Sequence, residues 1–139
     1  GRTVKDIVDK ADEVLADTSK DALCADLRFG HDYPFIAMCS AMGLEGIGQQ
    51  LSVDEINLKW FGAWYTPFAA NLQMIFYKNK KGEVLTKVLY NEKEILIPGI
   101  EPVSDPYYRW DELKAHFLDL CKQASAPWDN WNRTHGHNN

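Results

Sequence analysis

The pairing in this chain best suited to moving protons and phosphoryl groups is a histidine next to a carboxylate. It occurs once, at His31-Asp32. The pair closes the stretch Asp26-Leu27-Arg28-Phe29-Gly30-His31-Asp32-Tyr33-Pro34. Residues 23–29 are mostly apolar, as in a short strand buried on both faces. Pro34 fits the first turn of a helix. Together these predict a strand, a Gly-His-Asp turn and a helix N-terminus, with His31 and Asp32 at the C-terminal end of the strand. A helix N-terminus presents unpaired N–H groups and partial positive charge, which suit an anion such as phosphate. Asp32 there can cap the helix or deliver a proton to a leaving group. Arg28 shares a strand face with Gly30, so it can hold substrate phosphate or pair with a carboxylate.

The elements that must position this pair follow from periodicity. Thr3-x-x-Asp6 resembles a capping box. Val4, Ile7, Val8, Ala11 and Leu15 then recur at helical spacing and predict a helix over 4–16. After Pro34, the residues Phe35, Met38, Cys39 and Met42 mark a buried face, with Gly43 at the C′ position. Ser52-x-x-Glu55 opens a short helical turn. Trp60, Phe61, Trp64 and Tyr65 form an aromatic cluster, suited to core packing, a lid or a pocket wall. Leu72–Tyr77 and Val84–Tyr90 flank Lys78-Asn79-Lys80-Lys81-Gly82-Glu83 and read as a hairpin with a solvated turn. Ile95–Ile97 reads as another short strand, stopped by Pro98-Gly99, and Asp105-Pro106 opens a turn. Trp110, Leu113, Phe117, Leu120 and Cys121 define a last amphipathic helix. The expected organisation is a single partial α/β domain over 1–123, then a polar, poorly ordered tail over 124–139 that carries Trp128 and Trp131.

Composition narrows the function classes. With 139 residues and 45% apolar content, the chain can bury one sizeable core. A formal net charge of −5 leaves no basic stripe for a nucleic acid. A small phosphorylated ligand needs only a local positive pocket. No apolar run reaches membrane-spanning length, and no signal peptide is visible in the chain. Cys24, Cys39 and Cys121 are widely spaced and odd in number, and their apolar neighbours predict buried free thiols. His135-Gly136-His137 lacks the further ligands of a metal site. Asn132-Arg133-Thr134 matches a glycosylation sequon, a frequent chance match.

The ordered residues also carry a resemblance. Leu27-Arg28-Phe29-Gly30-His31-Asp32, followed by an apolar helix ending Met42-Gly43-Leu44, resembles the C-terminal active-site motif of the histidine acid phosphatases. The likeness is to the branch that contains phytases and multiple inositol polyphosphate phosphatases. It continues through Tyr65-Thr66-Pro67-Phe68-Ala69-Ala70-Asn71-Leu72, Lys87-Val88-Leu89-Tyr90-Asn91-Glu92, Ile97-Pro98-Gly99 and the helix from Trp110 to Cys121. It implies the C-terminal part of a histidine-phosphatase-like (phosphoglycerate-mutase-like) sheet with flanking helices and an added β-hairpin. It implies phosphomonoester hydrolysis through a phosphohistidine, with inositol phosphates among the substrates, and a periplasmic or secreted location. Asp32 would protonate the leaving alkoxide and His31 would contact the phosphoryl oxygens. No metal or organic cofactor is implied.

One departure is decisive. The family's nucleophile is the His of an Arg-His-Gly-x-Arg motif, and this chain has no Arg-His-Gly. The nearest stretch, Arg133-Thr134-His135-Gly136, has an inserted Thr. The chain is therefore expected to supply the proton donor, to lack turnover alone, and to work with a missing N-terminal segment of the same enzyme. Two alternatives stand beside this. One is a non-catalytic phosphate-binding or structural module, and the other is an unrelated α/β domain in which Asp32 is a cap. Metal-dependent His-Asp phosphohydrolases fit poorly, because His116, His135 and His137 lie on other predicted elements. Cysteine nucleophiles fit poorly too, since no Cys-His pairing is suggested.

Overall fold

The computed structural model describes residues 2–19, 21–22, 25–44, 46–49, 51–59 and 62–135. In chain order the elements are α1 (Arg2–Ala16), α2 (Asp32–Ala41), α3 (Val53–Lys59), α4 (Gly62–Tyr65), β1 (Leu72–Lys78), β2 (Val84–Tyr90), β3 (Lys93–Glu94), β4 (Tyr107–Arg109) and α5 (Trp110–His135). The architecture combines helices with a small, open, antiparallel sheet, a general α/β organisation.

The sheet grows from the hairpin. β1 pairs with β2 from Leu72↔Tyr90 to Lys78↔Val84. Asn79 closes the turn: its N–H donates to the Glu83 carbonyl (3.0 Å), and its Oδ1 accepts from the N–H groups of Lys81 (2.9 Å) and Glu83 (3.0 Å). The other edge of β2 is shared by two short strands. β3 pairs at Leu89 and Tyr90, and β4 pairs at Leu85, Thr86 and Lys87. Among the described residues β1 therefore pairs with β2 alone.

α5 covers one face. It contacts β2, β4, α1 and α2. Its Trp110, Leu113, Phe117 and Cys121 join Val88, Ile97, Tyr108, Val4, Val8, Cys39 and Met42 in a single buried cluster. Tyr108 stays buried because its hydroxyl accepts the Ile97 N–H at 2.8 Å. Phe76 of β1 meets Trp110 edge to face at 4.9 Å. On the opposite sheet face, Tyr77 stacks edge-on against Tyr107 at 5.6 Å, and the Lys87 ammonium lies 6.0 Å from the Tyr107 ring.

Two local features lock the helices. Gly43 follows the α2 cap at φ +66°. The Leu44 N–H donates to the Cys39 carbonyl (3.1 Å) and the Gly43 N–H to Ser40 (3.0 Å), which is the Schellman pattern. Gly43 also lies under α5, where an added Cβ would sit 2.8 Å from Leu120 Cδ1. The second feature is Asp12 of α1. It accepts from Trp110 Nε1 (2.6 Å) and from Lys114 Nζ (2.8 and 3.0 Å) on α5. Burial alone would raise its carboxyl, but the Lys114 and Trp110 donors outweigh that and hold it below its ordinary value.

Several expectations hold. α1 buries Val4 and Val8, the hairpin has the expected strands, and Pro34 lies in the first turn of α2. Ser52 and Glu55 form the expected N-terminal box of α3, with Ser52 N–H on Glu55 Oε2 at 3.2 Å. Cys39 and Cys121 are buried free thiols, and burial pushes the Cys39 thiol up to about 12. Cys24 lies outside the described residues.

Others need correction. Ala25–Phe29, within the predicted strand 23–29, is not in a strand. Its apolar side chains are not buried: Leu27 is 74% and Phe29 91% exposed. A strand exists only with a neighbour, and among the described residues the segment has none. Thr3 falls inside α1, one residue past its start at Arg2, so it is not the cap. The third strand is Lys93–Glu94 rather than Ile95–Ile97, because the turn at Asn91-Glu92 sets the register two residues earlier. The last helix does not stop near Cys121. It continues through the expected tail to His135, with Pro127 inside it, because no glycine breaks the run before then. In the aromatic cluster, Trp64 is 68% exposed rather than packed in the core, and Trp60 and Phe61 lie outside the described residues.

Two outcomes follow from the locks. Gly43→Ala forces a Cβ into both a left-handed backbone and Leu120, so thermal or urea unfolding will show a loss of about 1–3 kcal/mol. Asp12→Asn weakens the α1–α5 clamp by about 1 kcal/mol at neutral pH. Because the folded pKa is lowered, the ionised clamp stabilises above the ordinary value of 3.8 and is lost as pH falls through the lower folded value. The gap in melting temperature between the unmodified chain and Asp12→Asn is therefore constant near neutrality and closes on acidification.

Candidate functional site

His31 and Asp32 stand at the start of α2, and both are exposed. His31 is the N-cap residue, with extended backbone (φ −84°, ψ 166°) and no side-chain capping bond. Asp32 is the first helical residue. Its Oδ1 accepts the Tyr33 N–H at 3.0 Å, and the His31 carbonyl accepts the Phe35 N–H at 3.4 Å. The position at a helix N-terminus is as expected. The supporting strand is not, since Ala25–Phe29 is in no strand.

This first turn is a poor anion cradle by itself. Pro34 contributes no N–H, the Tyr33 N–H is taken by Asp32, and the Asp32 carboxylate adds a negative charge. Arg28 does not offset it. Its guanidinium bonds Asp6 of α1, and it bonds Asp26 through Nε (3.1 Å) and Nη2 (3.0 Å). The Asp6 bond, then Asp26, raises the guanidinium above its ordinary value despite partial burial. Of the two roles open to Arg28 in the sequence, pairing with carboxylates is the one seen.

Residues of two further stretches of the resemblance, Tyr65–Leu72 and Lys87–Glu92, gather next to α2. Phe35 stacks on Tyr90 of β2 at 5.8 Å. The Tyr90 hydroxyl donates to the Tyr65 carbonyl, which also accepts from Asn91 Nδ2 at 3.3 Å. Asn91 Oδ1 accepts the Asn71 N–H at 3.0 Å, and Asn71 Nδ2 donates to Glu92 at 2.6 Å. Ala69, Asn91 and Glu92 all have positive φ, at 62°, 48° and 62°. Burial, with smaller contributions from Cys39 and Tyr65, pushes the Tyr90 hydroxyl up to about 12. Sequence reasoning quoted these residues but did not join them to His31-Asp32. The link is the aromatic pair Phe35–Tyr90, which spacing alone cannot reveal.

Other candidates lie elsewhere. His116 is on α5 over Gly99, where an added Cβ would be 3.0 Å from its Cε1, and its buried Nε2 has no hydrogen-bond partner. His137 and the His135 side chain lie outside the described residues. Among the described residues, no three His, Cys, Asp or Glu side chains gather as a metal site needs. Two open hollows, of about 370 and 590 Å³, lie near the hairpin turn among Glu83, Tyr77 and Arg109, and neither includes His31 or Asp32. Among the described residues, no helix is long and apolar enough to cross a membrane.

No family model matches the sequence, and no curated protein matches it.

The geometry predicts a small structural role for the pair. Asp32→Asn removes one charge from an exposed helix start and will cost at most about 1 kcal/mol. His31→Ala, which breaks no capping bond, will leave the melting temperature unchanged. Thermal unfolding of both variants checks this.

Proposed function

We propose that this chain is the C-terminal part of a phosphomonoester hydrolase of the histidine acid phosphatase type. In this reading Asp32 is the proton donor and His31 contacts the phosphoryl oxygens. The observation that carries it is the exposed His31-Asp32 pair at the start of α2, in the ordered context of the resemblance. Both side chains face solvent; His31 makes no side-chain capping bond, and Asp32 uses Oδ1 to accept the Tyr33 N–H. The reaction needs a nucleophilic His and cations, which would come from the missing N-terminal segment. The chain's own Arg28 is already engaged by Asp6 and Asp26. Substrates are phosphomonoesters, inositol phosphates among them, no cofactor is required, and the setting is periplasmic or secreted. The sheet would be the C-terminal part of a histidine-phosphatase-like one.

A second reading is a non-catalytic phosphate-binding or structural module. The missing Arg-His-Gly favours it.

Two measurements separate these. The 139-residue chain alone is expected to hydrolyse neither p-nitrophenyl phosphate nor phytate above background. In the intact enzyme, Asp32→Asn will lower turnover of phytate by about a hundred- to ten-thousand-fold, as loss of a general acid does. The loss for p-nitrophenyl phosphate will be smaller, because p-nitrophenolate departs as an anion. Equal losses for both substrates, tracking a drop in melting temperature, would leave Asp32 as a helix residue and sink the acid role.

A further inference from the structure

The register of the sheet sorts its side chains onto two faces. Thr86, Val88 and Tyr108 are fully buried on the face under α5. On the other face the pairs Gln73↔Leu89, Ile75↔Lys87 and Tyr77↔Leu85 join β1 to β2. Leu89↔Glu94, Lys87↔Tyr107 and Leu85↔Arg109 carry each row to the far edge. The outer face thus has three rows, the first ending in Glu94, the second in Tyr107 and the third in Arg109. An antiparallel sheet with one face in water normally alternates, with polar residues outward. Here the outward residues include Ile75, Tyr77, Leu85, Leu89 and Tyr107. Among the described residues, none of these five packs on the buried cluster. Tyr77 is 45% exposed, and the hollow of about 590 Å³ opens beside it, with Leu85, Val103 and Arg109 in its wall.

The charges of this face match a second copy of itself. Glu94 and Arg109 stand at opposite ends of the same edge of β2. Lys87, between them, has its charge matched by Glu94 at 3.2 Å and lies 6.0 Å from the Tyr107 ring. Arg109 approaches Glu112 only to 4.0 Å, beyond hydrogen-bond range. The Glu94 and Arg109 side chains stay 54% and 46% exposed. Consider a second copy laid face down by a two-fold axis through the middle row, across the strands. The first row then covers the partner's third row. Leu89 lies on the partner's Leu85 and Glu94 on the partner's Arg109, and symmetry repeats both contacts. Ile75 and Tyr107 meet their own counterparts, and Lys87 meets its counterpart with its charge already matched. An axis along the strands would instead set Glu94 on the partner's Gln73 and Arg109 on the partner's Tyr77, with no ion pair.

We infer that the outer face of the sheet is a self-association surface, on which two copies of this chain pack sheet to sheet with reciprocal Glu94–Arg109 ion pairs. Such a contact is isologous, because the same patch serves both copies. Its size sets its strength. Three strands about 4.8 Å apart and seven residues long cover about 14 by 23 Å, below the roughly 800 Å² per partner of a lasting complex. The dimer is therefore weak and forms only as concentration rises. His31 and Asp32 are not on this face, so the inference stands or falls independently of hydrolysis.

Sedimentation velocity of the 139-residue chain from about 10 μM to about 1 mM will show the mass rising from monomer toward dimer. Leu85→Lys places a charge in the apolar part of the face and will weaken association at least about tenfold. Arg109→Glu and Glu94→Arg each set like charges opposite one another, and each variant alone will associate at least about tenfold more weakly. An equimolar mixture of those two variants restores opposite charges at both ends of the face. It will associate within about threefold of the unmodified chain, which separates a lost charge match from a misfolded variant. A chain that stays monomeric throughout that range, a dimer that Leu85→Lys leaves intact, or a mixture no tighter than either variant alone overturns the inference.

Discussion

The packing of α5 across the sheet is the interaction on which everything else rests. Leu113 and Phe117 are fully buried, and the same helix touches β2, β4, α1 and α2. Fully burying two such side chains contributes about 3–6 kcal/mol before entropy is counted. Each remaining feature is attached to this layer. Asp12 fastens α1 to it through Trp110 and Lys114. Gly43 lets the end of α2 approach Leu120 closely. α2 is in turn the element that carries His31 and Asp32, so the placement of the pair depends on a glycine and a leucine far from it in sequence.

That dependence explains which parts of the fold were legible. Features decided by neighbours in sequence were readable: the Asn79-Gly82 turn, the Gly43 helix end, the Ser52/Glu55 start of α3 and the apolar stripe of α5. Features decided by distant partners were not. Ala25–Phe29 has strand-like side chains, but pairing is a tertiary event and no pattern within seven residues announces whether an edge is available. The position of β3 followed from the turn at Asn91-Glu92, where two non-glycine residues take positive φ. Propensity places such a turn poorly, since Glu there is uncommon. The extension of α5 past Cys121 runs through Pro127, a residue that sequence rules treat as a stop.

For the candidate site, residue types were legible and their company was not. His31 and Asp32 stand at a helix N-terminus as the spacing suggested, but not at the end of the strand it also suggested. Tyr90 reaches the helix that carries them by stacking on Phe35, fifty-five residues away, and side-chain hydrogen bonds then bring in Asn91, Asn71 and Tyr65. No local signal encodes that proximity. The two quoted stretches were in order, and order is compatible with many spatial arrangements.

Charge is the remaining argument about what the pair can do. A phosphate ester approaching the start of α2 meets Asp32, and beyond it Arg28 flanked by Asp6 and Asp26. That is one cation against three carboxylates. Backbone donors do not redress the balance, because Pro34 has none and Tyr33 gives its own to Asp32. A dianion would not settle there unless further cations arrived or Asp32 took up a proton. Proposed acid chemistry needs both: positive charge supplied from outside these residues, and a carboxyl that is protonated when the ester binds. The arrangement of charges thus makes the pair a weak phosphate site by itself.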